Sequence, residues 1–538
     1  MLAWPTLADD DGWTGIDMRK AAVLFGLLVA APAMAQTDRV GERSAGALAQ
    51  DMAAGRTTAE ALTRAYLTRI EAMDRKGPSL RAVIAINPQA IAEARARDAE
   101  RRAGRVRGPL HGVPVLIKDN IETRENATTA GSLALADNRT GRDAPVVARL
   151  RAAGAVILGK TNLSEWANIR SNASMSGWSA VGGLVRNPYA LDRTSCGSSS
   201  GTGVAIAASF AAIGVGTETD GSVVCPSAMN GLVGLKPTIG LVSRTQVVPI
   251  SHSQDTPGPM GRSVRDVALL MTAMMGSDPA DPATRDADTR RRDYAAGLSA
   301  GALKGMRIAV LRPAMPKALA DAYDRALGRL RGAGAVLVEA TLPDLPGLGE
   351  QELTVLKAEL KADLDAYLAT TPASVRTRTL ADVIAFNERE APREQRYFGQ
   401  ELFVAAQAMP GLADPAYRRA RSEGQARAAG AIDGVLTAAK AQAIVSPTYG
   451  LPWLSDPVNG DQFSGPSASQ LPAMSGYPHL TVPMGLALGL PVGLSFIGTA
   501  NSDALLIGAG YAYEQAAAAR VAPTYAEHVP DNPGTARD

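Results

Sequence analysis

A helical stretch followed by a short apolar strand recurs along this 538-residue chain, at Pro145 to Leu158, Val204 to Val215, Tyr323 to Val338 and Gln425 to Val445. Parallel neighbours need long crossovers, and helices that serve as crossovers cover both faces of the sheet they connect. The rhythm therefore predicts an α/β fold with a central mixed, largely parallel sheet between helical layers. Flanking elements fit the same frame. The Thr57-Thr58-Ala59-Glu60 capping box opens a helix reaching about Arg75, Ala82 to Ile86 reads as a strand, and Asn87-Pro88 caps a charged helix ending near Gly104. Two late strands, Leu480 to Pro483 and Val492 to Ile497, precede a closing helix over Asp503 to Ala518. Residues 276–409 are charged and helix-rich, and read as a peripheral subdomain inserted into one domain spanning 36–538.

Composition narrows the function. The net charge of +2 comes with intermixed signs, without a basic block or aromatic ladder, so nucleic acid is not expected as a partner. Met18-Arg19-Lys20, the apolar run Ala21 to Ala31 and the small-x-small site Ala33-Met34-Ala35 form a secretory signal peptide over 1–35, with Met18 as the alternative start. Its removal raises the net charge to +4, since four Asp leave with Arg19 and Lys20. An exported, periplasmic or secreted protein is expected, with no membrane span in the mature chain. Cys196 and Cys225 read as two buried free thiols, with a single disulfide as the alternative. A zinc site is not expected, because there is no CxxC and His111, His252, His479 and His528 lie far apart.

The chemistry concentrates between Cys196 and Pro226, where two Ser/Gly loops flank an apolar run. Gly197-Ser198-Ser199-Ser200-Gly201 matches the G-x-S-x-G elbow, which would make Ser199 a nucleophile. That elbow follows a strand, whereas Asn187 to Arg193 is loop-like. Serine chemistry without histidine needs another base, and a poorly solvated lysine serves. Lys118 ends the apolar run Val113 to Ile117. On residues alone it reads as a surface lysine whose stem lies along the strand.

Taken in order, Gly108 to Pro114, Gly159 to Asn162, Gly197 to Gly201, Thr219 to Ser222, Gly231 to Thr238, Asp255 to Pro259 and Leu490 to Leu494 resemble the amidase signature family. The resemblance covers most of residues 40–520. Asn162 to Asn168 and Thr217 to Pro226 look most like bacterial peptide amidases, which remove the C-terminal amide of peptides. It implies catalytic Lys118, bridging Ser198 after a cis peptide bond, and nucleophile Ser222, with backbone N–H groups of Thr219, Asp220 and Gly221 as an oxyanion hole. It also implies substrate contacts near Ala167 and Ser199, and no cofactor or metal. Val224 stands where many members carry Arg, which disfavours substrates whose carboxylate needs that charge, glutamine among them. Alternatives are a fatty acid or other small amide hydrolase, the glutaminase component of a tRNA-dependent amidotransferase, and an exported peptide-binding protein without catalysis.

Overall fold

The structure is a computed structural model, described here over residues 40–529. The signal peptide expected over 1–35 lies outside the described residues. Thirteen strands are present among them: β1 (Val83–Ile86), β2 (Pro114–Lys118), β3 (Val156–Thr161), β4 (Trp178–Ser179), β5 (Gly183–Leu184), β6 (Ile213–Glu218), β7 (Val233–Lys236), β8 (Thr256–Gly261), β9 (Arg307–Leu311), β10 (Val336–Ala340), β11 (Ala443–Pro447), β12 (His479–Ala487) and β13 (Leu490–Ile497). Eleven form one sheet in the order β1-β3-β2-β6-β8-β7-β12-β13-β11-β9-β10, and β4 and β5 make a separate hairpin.

The sheet is mixed and covered by helices, as the alternation predicts, but its balance differs from the expectation of largely parallel pairing. Pairs β2·β3, β2·β6, β9·β10 and β9·β11 are parallel. The other six, β1·β3, β6·β8, β7·β8, β7·β12, β12·β13 and β11·β13, are antiparallel. The helix-then-strand rhythm finds crossovers and so finds the parallel pairs. It is blind to β7 and β8, and to the tight β12–β13 hairpin, which turns on Leu488 and Gly489, both at positive φ. β8 is hidden by its own sequence, Thr256-Pro257-Gly258-Pro259, since proline and glycine weaken a central strand. It is tolerated because β7 pairs with β8 only at Met260 and Gly261, so both prolines lie beyond that ladder.

Local signals mostly hold. Thr58, one residue later than the box suggested, is the N-cap of the helix Ala59–Ile70 and accepts from the Ala61 N–H, and Asn87 accepts from the Gln89 N–H ahead of the helix Ala90–Arg102. Residues 276–409 supply β9 and β10 to the sheet edge before the helices Leu348–Leu368 and Leu380–Arg389. Those helices pack Leu364, Leu368 and Val383 against Leu135 and Trp166 in a second core beside the main one. No helix among the described residues is long and apolar enough to cross a membrane.

The site stands at the centre of the sheet. β2 is buried at every residue between β3 and β6, which explains its unbroken apolar run. The helix Ser200–Ala207 is buried all round: its residues are small or apolar, and the Ser200 and Thr202 hydroxyls bond to Cys196 O and Thr161 Oγ1, both at 2.7 Å. Gly201 permits this: a Cβ there would stand 2.4 Å from the carbonyl oxygens of Ala82 and Asn162.

Candidate active site

Lys118 is not a surface residue. It closes β2 with no solvent exposure, and the register that sets it opposite Thr161 and beside the end of β6 leaves its amine no path to water. Its Nζ stands 2.7 Å from Ser198 Oγ, 2.8 Å from Thr217 Oγ1 and 3.2 Å from the Thr217 carbonyl oxygen. Asn120 Nδ2 donates to the same Thr217 hydroxyl at 2.9 Å. No carboxylate contacts the amine, and burial pulls its pKa down to about 7, against the opposing influence of Asp255 and Glu218.

Ser198 follows a cis peptide bond from Gly197. Its carbonyl accepts from the Ser164 N–H at 3.0 Å, and the Ser164 hydroxyl in turn accepts from Gly177 N–H at 2.9 Å. The next residue joins the two loops: Ser199 N–H donates to the Ser222 carbonyl at 3.1 Å. The Ser199 side chain, expected to meet substrate, is fully buried and does not line the pocket. Its hydroxyl donates to Thr217 O at 3.1 Å and accepts from Thr217 N–H at 3.2 Å, so it fastens the end of β6 to the serine loop.

Ser222 lies in the turn between β6 and the helix Val224–Met229. Glu218 shapes that turn, its Oε2 accepting from Val223 N–H at 2.7 Å and Val224 N–H at 2.9 Å. Among the described residues, the N–H groups of Asp220, Gly221 and Ser222 donate to no acceptor of the chain. Gly221 is at φ +76°, and a Cβ there would stand 2.1 Å from Tyr449 Oη, which pairs with Ser469 Oγ at 2.7 Å. Thr219 Oγ1 donates to Asp255 Oδ1 at 2.6 Å, while Asp255 Oδ2 accepts from Ile250 and Ser251 N–H at 2.8 and 2.9 Å. Burial raises Asp255 to about 6.

Ser198, Ser222, Thr219, Asp220 and Ala167 line one pocket of about 170 Å³, closed on its apolar side by Ile250, Leu356 and Phe463. Ala167 belongs to a run of three left-handed residues, Trp166 (φ 50°), Ala167 (φ 53°) and Asn168 (φ 74°). Non-glycine residues in that region are costly and persist where surroundings enforce them. Here the Trp166 N–H donates to Ala130 O at 2.9 Å, and Glu165 Oε2 accepts from Ala180 N–H at 2.8 Å.

Cys196 and Cys225 form a disulfide with Cα atoms 5.9 Å apart, in place of the two free thiols expected. Sequence separation hid this: the buried helix Ser200–Ala207 and β6 return the chain on itself and bring the residues together. Thr217, Glu218, Tyr449 and Ser469 are the site residues that motif reading passed over. Thr217 and Glu218 were within reach, since they sit inside the motif that carries Ser222. Tyr449 and Ser469 come from the far side of the sheet and carry no local signal.

A buried lysine against a serine hydroxyl, beside a second serine in a turn with free N–H groups, is a hydrolytic arrangement rather than a phosphate or metal site. The amidase family model matches residues 61–507, and the chain belongs to that family, the amidase signature enzymes that hydrolyse amide bonds. It is 51% identical to the native peptide amidase of Stenotrophomonas maltophilia, with a TM-score of 0.87 over 90% of this chain and 99% of that one. A probable amidase of Arabidopsis thaliana is 39% identical over 87% of this chain and 89% of its own. A glutamyl-tRNA(Gln) amidotransferase chain from Chloroflexus aurantiacus is 35% identical over 86% of this chain and 94% of its own.

Proposed function

We propose that the enzyme hydrolyses the C-terminal amide of peptides, releasing ammonia through a Lys118–Ser198–Ser222 relay and an acyl-enzyme. The observation that carries the relay is the 2.7 Å contact between Lys118 Nζ and Ser198 Oγ in a site where no carboxylate holds the amine charged. A neutral amine has two N–H donors and one lone pair. Thr217 takes the donors through its carbonyl and hydroxyl oxygens, which leaves the lone pair for the Ser198 O–H.

In this reading Lys118 accepts the Ser198 proton, Ser198 accepts the Ser222 proton, and Ser222 Oγ bonds to the amide carbon. The N–H groups of Thr219, Asp220, Gly221 and Ser222 stabilise the oxyanion. Ser198 then returns a proton to the departing nitrogen, the C–N bond breaks and ammonia leaves. Water, deprotonated by the same relay, cleaves the Ser222 ester and frees the peptide acid.

The similarity to a peptide amidase supports the substrate class, and Val224 supports an uncharged amide over glutamine. The Met18 to Gln36 pattern and the Cys196–Cys225 disulfide support an exported, oxidising location. The test is ammonia release from peptide amides, fatty amides and free glutamine by wild type, Ser222→Ala and Lys118→Ala. Release from peptide amides alone, nearly abolished in both variants, is expected; substantial activity in either purified variant sinks the relay, and a response to glutamine alone sinks the substrate class.

A further inference from the structure

The pocket holds one charged side chain, and it is an acid. Of the residues that line it, only Asp220 bears a carboxyl or a basic group. Asp220 Oδ1 is buried without a hydrogen-bond partner, although an ionised carboxylate has acceptor capacity on both oxygens. A buried acceptor left unmatched is costly, so an acceptor without a donor beside a nucleophile points to a donor that arrives with the substrate.

No cation contacts the Asp220 carboxyl group among the described residues. Lys236, the buried cation whose charge acts on Asp220, donates to the Pro237 carbonyl at 3.2 Å and does not line the pocket. Arg244, in the neighbouring crevice, is held by Asp281. A second buried acid, Glu352 of the helix Leu348–Leu368, stands outside the pocket lining. Its oxygens accept from Gln254 Nε2 at 2.8 Å and Gln470 Nε2 at 2.9 Å, and no cation contacts it. Burial raises both acids, at Asp220 only in part offset by the Ser469 hydroxyl and the Lys236 charge. Glu352 rises to about 8, the Asp220 carboxylate adding to the effect of burial.

We infer that the Asp220 carboxylate is a specificity-determining group: it accepts an N–H of the substrate's amide and repels a carboxylate, so peptide acids, the reaction product included, are kept out of the site. The inference rests on the amide-hydrolase reading above and extends it to product release. An amide brings the N–H donor that Oδ1 lacks. The acid formed from it brings only acceptors and a like charge, in a low-dielectric pocket where repulsion is strong.

The experiment compares binding of matched pairs. For wild type and Asp220→Asn, KM is measured for a blocked dipeptide amide and Ki for the corresponding dipeptide acid. The Ki/KM ratio is expected to fall at least about tenfold in Asp220→Asn, because asparagine removes the repulsion and offers the acid an N–H; an unchanged ratio overturns the inference. Should Asp220→Asn fail to fold, wild type alone decides, through the acid against the uncharged dipeptide alcohol. The alcohol is expected to bind at least about tenfold more tightly, and equal binding overturns the inference. Failure of the peptide reading is seen separately, as absence of ammonia release from the dipeptide amide by wild type. The ratio is then read on whichever primary amide is hydrolysed and that amide's acid.

Discussion

Two lysines stand near the ends of neighbouring strands in this sheet, and they have opposite fates. Lys118 on β2 and Lys160 on β3 are both fully buried. Lys160 Nζ meets Asp119 Oδ1 at 2.9 Å and the Thr128 hydroxyl at 3.0 Å, forming a paired internal charge. Lys118, one strand away, meets only hydroxyls and a carbonyl. Burial alone therefore does not make a base. What separates the two amines is the carboxylate withheld from Lys118, which lets desolvation favour its neutral form.

The sharpest way to break the comparison is to remove each amine. Lys118→Met is expected to lower kcat by about 10²–10⁴-fold while leaving Tm unchanged or higher, because a desolvated amine is replaced by an apolar chain of similar length. Activity and thermal unfolding measured on the same preparation check both halves. Lys160→Met is expected to do the reverse, costing about 3–5 kcal/mol by stranding Asp119, with the kcat of the folded fraction little changed. If Lys160→Met abolished turnover in folded enzyme, the assignment of the two lysines to different tasks would fail.

A pH series sharpens the same contrast. With Lys118 at about 7, kcat/KM should rise as pH passes through that value and level off above it. For stability, the folded value lies below the ordinary 10.5 of the unfolded amine, so the unfolded chain binds the extra proton. The Lys118 contribution therefore opposes folding in full below about 7 and is relieved as pH climbs toward 10.5. Denaturant titrations of wild type and Lys118→Met across that window should converge as pH increases. The smallest effect concerns Ser199. Ser199→Ala strands the Thr217 N–H and costs about 1–3 kcal/mol, with a partial loss of kcat because Thr217 orients the Lys118 amine.

Legibility from the sequence followed the range of the interactions. Helices and strands whose signal lies in one segment, such as β2, β3, the helix Pro145–Ala152 and the closing helix Asp503–Ala517, were visible as periodicity and caps. β8 was not, since its prolines contradict a central strand and only its neighbours explain them. At the site, Lys118, Ser198 and Ser222 enter through resemblance, while the residues alone offer only a weak elbow match at Ser199 and leave Lys118 on the surface. The difference is burial, a property of the assembled sheet that no local pattern encodes. The Cys196–Cys225 disulfide escaped for the same reason.

The contacts of Lys118 also say when this site can exist during folding. The amine touches Ser198, 80 positions along the chain, and Thr217, 99 positions along. Contacts of that separation close large loops and form only as the strands between them dock, which makes such topologies slow to assemble. No fragment holding β2 alone, or the two serine loops alone, contains the relay. Regain of turnover after dilution from denaturant should thus trail the recovery of helical signal, and so time the docking of β2 against β6.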